Sequence, residues 1–307
     1  MVLKTLNPEQ FKAVTYTTGP LLILAGPGSG KTLTITEKVI HLIDSGMSPE
    51  RILALTFSEK AAGEMQERIE KNIGIGSGIT VSTFHSFCNE LIREFPLDMG
   101  ISYGTRLVSK EHSHVWGIKN IDAFAFENIV IPPSPYDLIT SLLEGVSQLR
   151  DHLITPDELK TFLDSRLSDP ALDKEDRDRF LKMADLERFY RLYQNYKWNN
   201  DLIDFDDMIA LACSLLDGND VVKENIRSRY DHILVDEFQD TNYAQLHLVN
   251  VLADGGNLTC VADDDQCIYR FRGAYLSNIK QLEGFYPALE KVALEINYRS
   301  TNQIVEL

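Results

Sequence analysis

Leu21-Leu22-Ile23-Leu24-Ala25-Gly26-Pro27-Gly28-Ser29-Gly30-Lys31-Thr32 is the stretch on which the reading of this chain turns. LLILA is a short apolar run bounded by turn residues, which predicts a buried strand. Residues 31–44 carry a helical pattern, so Ala25 to Thr32 joins a strand to a helix, the context that a phosphate-binding loop requires. Gly26, Gly28 and Gly30, with Pro27 and Ser29 between them, let backbone N–H groups turn inward around a phosphate without Cβ clashes. The helix N-terminus adds partial positive charge at the same place. Lys31 is expected to reach the β- and γ-phosphates of a nucleoside triphosphate, and Thr32 to offer its hydroxyl to Mg2+. Ala25 stands where the strict pattern has its first glycine, which β geometry at that residue tolerates.

Outward from this loop, RILALTF (51–57) and ITVSTF (79–84) read as further buried strands, with a helix predicted over 59–71. HILVDE (232–237), NLTCVAD (257–263) and KVALEI (291–296) read the same way. Strand–helix alternation predicts a parallel sheet covered on both faces. Between 94 and 200 helical patterns dominate, broken by PPSP at 132–135 and SDP at 168–170, after which a long amphipathic helix is predicted. Residues 151–220 hold 17 acidic against 9 basic side chains, the pattern of a solvated acidic surface. The expected organisation is an α/β domain interrupted by a mostly helical insertion: 1–93, the insertion at 94–200, the α/β domain resuming at 201–290, and a further domain beginning at 291–307.

Asp236 and Glu237 close one of the predicted strands. In phosphate-loop enzymes an acid at such a strand end holds Mg2+, and a neighbouring carboxylate can act as general base toward water. Asp204, Asp206 and Asp207 look like a metal cluster, but Phe205 and Met208 interleave them, so they read as cap and fold residues.

Composition sets the outer bounds. The 307 residues are 44% hydrophobic and 25% charged, enough for a sizeable core and more than one domain. Cys88, Cys213, Cys260 and Cys267 form no C-x-x-C pair, so neither a zinc site nor a disulfide framework is expected. The net charge of −16 argues against a protein that coats duplex nucleic acid, but a motor needs only a local groove that attracts phosphates. No apolar run approaches the roughly 20 residues that span a bilayer, and MVLKTLNPEQ has no signal-peptide core, so a cytoplasmic location without membrane attachment is expected.

VDEFQDTN (235–242) and VADDDQCIYRFRGA (261–274) resemble the second and third motifs of superfamily 1 DNA helicases of the UvrD/Rep/PcrA type. LNPEQ, AGPGSGKT, LTFSEKAAGEMQERI, TFHSFC, DFDDM and NYRST follow in the order of that family, so the resemblance runs from Leu6 to Thr301. It implies a RecA-like phosphate-loop domain with a helical insertion and an ATP- and Mg2+-dependent motor on single-stranded DNA or duplex–single-strand junctions, moving 3′ to 5′. It also implies residue roles. Gln10 reads the adenine edge, Tyr298 stacks on the base, and Gln266 and Arg299 sense the γ-phosphate. Phe57, Ser58, Tyr269 and Phe271 contact DNA, His85 lies near the strand, and Arg272 ties the third motif to the ATP site.

Leu33 replaces an arginine that many relatives carry after GKT, so a cation–π contact to adenine is lost. Phe271 replaces a common tryptophan. No fifth or sixth motif is present, and the chain ends at Leu307 within a helical pattern, as expected of the N-terminal half of a longer motor that hydrolyses ATP weakly alone. Two other readings stay open: the helicase subunit of a nuclease–helicase repair complex, and an ATP-switched DNA-binding module that is not a motor. The sequence points to no particular protein partner.

Overall fold

A computed structural model describes residues 6–253, 256–263 and 274–299, the side chains of 274–277 excepted. The elements run α1 (Pro8–Thr15), β1 (Leu21–Ala25), α2 (Lys31–Asp44), β2 (Ile52–Thr56), α3 (Glu59–Ile73), β3 (Thr80–Thr83) and α4 (Phe84–Glu94). There follow β4 (Arg106–Leu107), α5 (Lys110–Lys119), α6 (Tyr136–Asp151), α7 (Pro156–Leu167), α8 (Lys174–Asn199) and β5 (Leu202–Ile203). The chain continues with α9 (Phe205–Gly218), α10 (Asp220–Arg227), β6 (His232–Val235), α11 (Tyr243–Leu252), β7 (Leu258–Ala262), α12 (Ala274–Phe285) and β8 (Glu290–Leu294). Two compact units result, one from Met1–Cys88 with Leu215–Leu307 and one from Asn89–Ser214. The divisions fall inside α4 and α9, whereas the sequence limits at 93/94 and 200/201 follow helix ends, which local patterns mark.

The first unit holds a six-stranded sheet in the order β3-β2-β6-β7-β1-β8, every pair parallel. β2, β6 and β7 are buried along their whole length, as strands covered on both faces must be. Leu21 and Ile23 of β1 share a core with Ile35 and Val39 of α2 and with Met65 and Ile69 of α3. α3 buries Ala62, Met65 and Ile69 at helical spacing, is capped by Ser58, and ends at Gly74 with φ 101°.

Residues 291–294, expected at the opening of a second domain, instead pair with β1 as part of β8 and form the edge of this sheet. Val292 and Leu294 face the same core as β1 while Lys291 and Ala293 face outward, the alternation of a strand covered on one side. Residues 300–307 lie outside the described residues.

The second unit is helical, with a core of aromatic and aliphatic side chains that includes Phe124, Ile139, Phe189 and Tyr193. Its short parallel pair β4–β5 was not expected. Asp204 and Asp207 each accept a hydrogen bond from the other's backbone N–H at 2.9 Å, and Lys197 pairs with both, at 2.5 and 2.6 Å. These carboxylates cap and brace the start of α9. Among the described residues no group of acidic, His or Cys side chains is arranged to hold a metal ion by itself. No helix among them is long and apolar enough to cross a membrane. Cys88, Cys213 and Cys260 are buried and take part in no disulfide among the described residues, while Cys267 lies outside them.

Candidate active site

Parallel strands all end on one edge, so strand order determines which loops meet there. Along the carboxyl edge the sequence of neighbours is His85 beyond β3, Phe57 and Ser58 beyond β2, then Asp236 and Glu237 beyond β6. Asp263 follows β7, the phosphate loop follows β1, and residues 297–299 follow β8. Adjacent strands lie about 4.8 Å apart, so the acids of β6 stand two strands, roughly 10 Å, from the loop, with Asp263 between them.

Gly28 and Gly30 adopt φ of 76° and 89°, the left-handed region that glycine enters without cost. A Cβ on Gly28 would meet Asn297 Oδ1 at 2.5 Å and Arg299 Cβ at 2.6 Å, and one on Gly30 would meet Gln10 Nε2 at 2.7 Å. The loop is therefore closely covered. Ser29 Oγ donates to Gly26 O at 2.7 Å, and Tyr298 N donates to Gly28 O at 2.8 Å. Gly30 is the N-cap of α2 and offers no side-chain cap, which leaves the helix's first turn suited to an anion.

Gln10 is buried. Its Oε1 accepts from Asn7 N at 3.1 Å in a capping box, and its Nε2 donates to Ser29 O at 3.0 Å. One amide hydrogen and one lone pair remain, the donor–acceptor pair that matches the N7 and N6 edge of adenine. Asn7 Nδ2 donates to Tyr298 OH at 3.0 Å, which fixes a ring that is 60% exposed. Leu33, one residue past Thr32, is also exposed.

The Lys31 ammonium lies 2.7 Å from Asp263 Oδ2 and 3.5 Å from Glu237 Oε2. Gln239 completes a ring: its Nε2 donates to Glu237 Oε2 at 2.6 Å, and its Oε1 accepts from Asp263 N at 2.9 Å. Glu237 holds φ 50°, a left-handed conformation unusual for a non-glycine residue, and its N–H donates to Asp236 Oδ1 at 3.0 Å. Asp236 is buried, and burial, followed by the neighbouring Glu237 charge, pushes its carboxyl up to about 6. An acid so disposed would gain by coordinating a divalent cation, and the Thr32 hydroxyl is a second oxygen of the kind that could serve Mg2+.

Asp263, Gln239 and Asn7 were missed in the sequence. Asp263 stood at the end of a predicted strand, and that position was the available signal. Gln266, Tyr269, Phe271 and Arg272 lie outside the described residues. Arg299 N donates to Asn297 Oδ1 at 2.8 Å beside Gly28.

On the far side of β6, Phe57 is 50% exposed and Ser58 accepts from Ala61 N at 3.2 Å as the cap of α3. His85 is half-buried in the first turn of α4. Glu59 joins the two loops, since its Oε1 accepts from Thr83 Oγ1 at 2.9 Å and from Ser86 Oγ at 2.6 Å.

The family profile described as UvrD/REP helicase N-terminal domain matches residues 6–287. The ATP-dependent DNA helicase PcrA of Bacillus subtilis (strain 168) is 37% identical over 316 residues, covering 99% of this chain and 39% of its own length. PcrA of Staphylococcus epidermidis (RP62A) is 36% identical over 312 residues, with 99% and 39% covered. The ATP-dependent DNA helicase Rep of Salmonella typhimurium (strain LT2) is 36% identical over 305 residues, with 98% and 42% covered. The chain thus spans about two fifths of the length of these curated relatives.

Proposed function

The chain belongs to the UvrD/REP helicase N-terminal domain family, and from that premise we propose that it is the ATP-binding half of a motor that hydrolyses ATP and travels 3′ to 5′ on single-stranded DNA. The observation that carries this reading is the Lys31 ammonium held between Asp263 and Glu237, because it brings the phosphate loop and the acids of β6 to one site. Lys31 exchanges carboxylate partners for the phosphates. Thr32 and Asp236 would hold Mg2+, which would neutralise triphosphate charge. Glu237, strained and oriented by Gln239, accepts the proton of the attacking water.

Gln10 and Tyr298 bind the adenine, and Arg299, adjacent to Gly28, responds to the γ-phosphate together with Gln266. The DNA strand passes over Phe57, Ser58 and His85, two and three strands from the phosphate loop's neighbour Asp263, and extends to Tyr269 and Phe271. Stacking on aromatic side chains tolerates any base and so suits a motor that steps along arbitrary sequence. Linking both sites to one sheet edge lets a change of phosphate contacts bias the DNA contacts. The intact protein then acts in the cytoplasm on single strands and duplex–single-strand junctions, in DNA repair.

The test is ATP hydrolysis by the intact protein with and without single-stranded DNA. DNA is expected to stimulate turnover and Lys31→Ala to abolish it. Normal hydrolysis by that variant would show that the site is elsewhere.

A further inference from the structure

α1 is eight residues long, too short to be stable by itself, and it carries Gln10 in its first turn. Its beginning is tied to the phosphate loop through Gln10 Nε2 and Ser29 O. Its end is tied elsewhere. Lys38 of α2 has no exposed surface, and its Nζ donates to Ala13 O at 3.1 Å and to Tyr16 O. These carbonyls belong to the last turn of α1 and its cap, where backbone acceptors lack helical partners and the helix dipole favours a cation.

We infer that Lys38 is a positioning residue for base recognition, anchoring the last turn of α1 so that Gln10 is held at the phosphate loop. The inference rests on the proposed role of Gln10. Lys38 lies seven residues after Lys31, two turns along the same face of α2, so one rigid helix carries both the phosphate-binding lysine and the anchor of the base-reading helix. Burying an ammonium is costly, and here burial lowers its pKa to about 8. An apolar side chain would fill the same space without that cost but would leave the two carbonyls without their donor. With the anchor gone, α1 is held at one end only, and the free donor and acceptor of Gln10 lose their register with the base.

The experiment is equilibrium competition of ATP and of GTP against a fluorescent nucleoside diphosphate on the intact protein, with thermal unfolding of each variant as a fold control. Guanine presents an acceptor where adenine presents a donor, so the ATP/GTP affinity ratio reads the Gln10 contact. Gln10→Ala is expected to lower the ratio on the order of ten-fold. Lys38→Met should lower it comparably, Lys38→Arg should restore it, and Gln10→Ala/Lys38→Met should be no worse than Gln10→Ala. If Lys38→Met does not fold, Lys38→Gln, which keeps an uncharged N–H donor on a shorter side chain, should show part of the loss. A wild-type ratio in the folded Lys38 variants, with Gln10→Ala still impaired, would overturn the anchoring role alone. A wild-type ratio in Gln10→Ala would overturn the reading of Gln10 and the inference with it.

Discussion

Lys31 Nζ sits 2.7 Å from Oδ2 of Asp263, a carboxylate with no exposed surface at the end of the strand next to the phosphate loop. The lysine that the sequence assigns to a triphosphate is thus partnered by a buried acid. Removing one member of such a pair leaves the other charge buried with less compensation. Lys31→Ala should therefore destabilise the nucleotide-free protein by about 3 kcal/mol, and adding Asp263→Asn should recover most of that. Chemical denaturation of the two single variants and the double variant measures the coupling. Simple additivity would show that the pair contributes nothing.

Asp236 gives the site a pH dependence of defined sign. Its folded-state pKa, about 6, lies above the ordinary carboxylate value, so between that value and 6 the folded state binds more protons than the unfolded chain. Stability from this group is greatest at low pH and falls as pH rises through 6, by on the order of 3 kcal/mol in total. Asp236→Asn should flatten that part of the stability profile and make the nucleotide-free protein more stable at pH 7, while Mg2+-dependent hydrolysis is lost. In the wild type, protons compete with the cation, so Mg2+-dependent nucleotide affinity should drop as pH falls below about 6. A titration showing no change there would remove Asp236 from the metal site.

Much of this arrangement is legible in the sequence, and the rest is not, for identifiable reasons. β1, β2, β6 and β7 are short runs rich in apolar residues, β3 and β8 mix apolar with polar residues, and α2 begins at Lys31, where its pattern begins. The phosphate loop is legible because its function is performed by contiguous backbone. Asp263, Gln239, Glu59 and Lys38 act through partners far away in sequence, and local pattern does not reveal which side chain will face them. The pairing of β8 with β1 is hidden for the same reason, and the two-residue strands β4 and β5 are too short to carry a period.

Glu59 offers a test of the DNA-facing edge. Its carboxylate braces Thr83 and Ser86 beside His85, and those two hydroxyls hold its pKa below the usual range. It also places negative charge near the expected path of DNA phosphates, so its two effects oppose each other. Glu59→Gln removes the charge and keeps the acceptor, and should bind single-stranded DNA at least as tightly as wild type. Glu59→Ala removes both, and should bind a few-fold more weakly than Glu59→Gln, about the effect of one or two modest hydrogen bonds. Equal affinities at several salt concentrations would mean that the brace does not shape the DNA site.

Leu33 and Tyr298 supply the last prediction, because both present exposed apolar surface next to the phosphate loop: Leu33 is 42% and Tyr298 60% exposed. The tyrosine is held by Asn7 at its hydroxyl and by Gly28 at its backbone, so its ring is fixed at both ends. Leucine offers the opposite side of an adenine only dispersion and burial, whereas an arginine there would add a planar cation over the base, worth about 0.5–2 kcal/mol. Leu33→Arg should therefore tighten nucleotide binding from about two-fold to thirty-fold. Because the gain arises at the base, ATP and ADP should benefit equally and inorganic triphosphate should not. Calorimetric titration of the three ligands separates these outcomes. An increase shared by triphosphate would mean that the added charge acts on the phosphates, and that Leu33 does not line the adenine site.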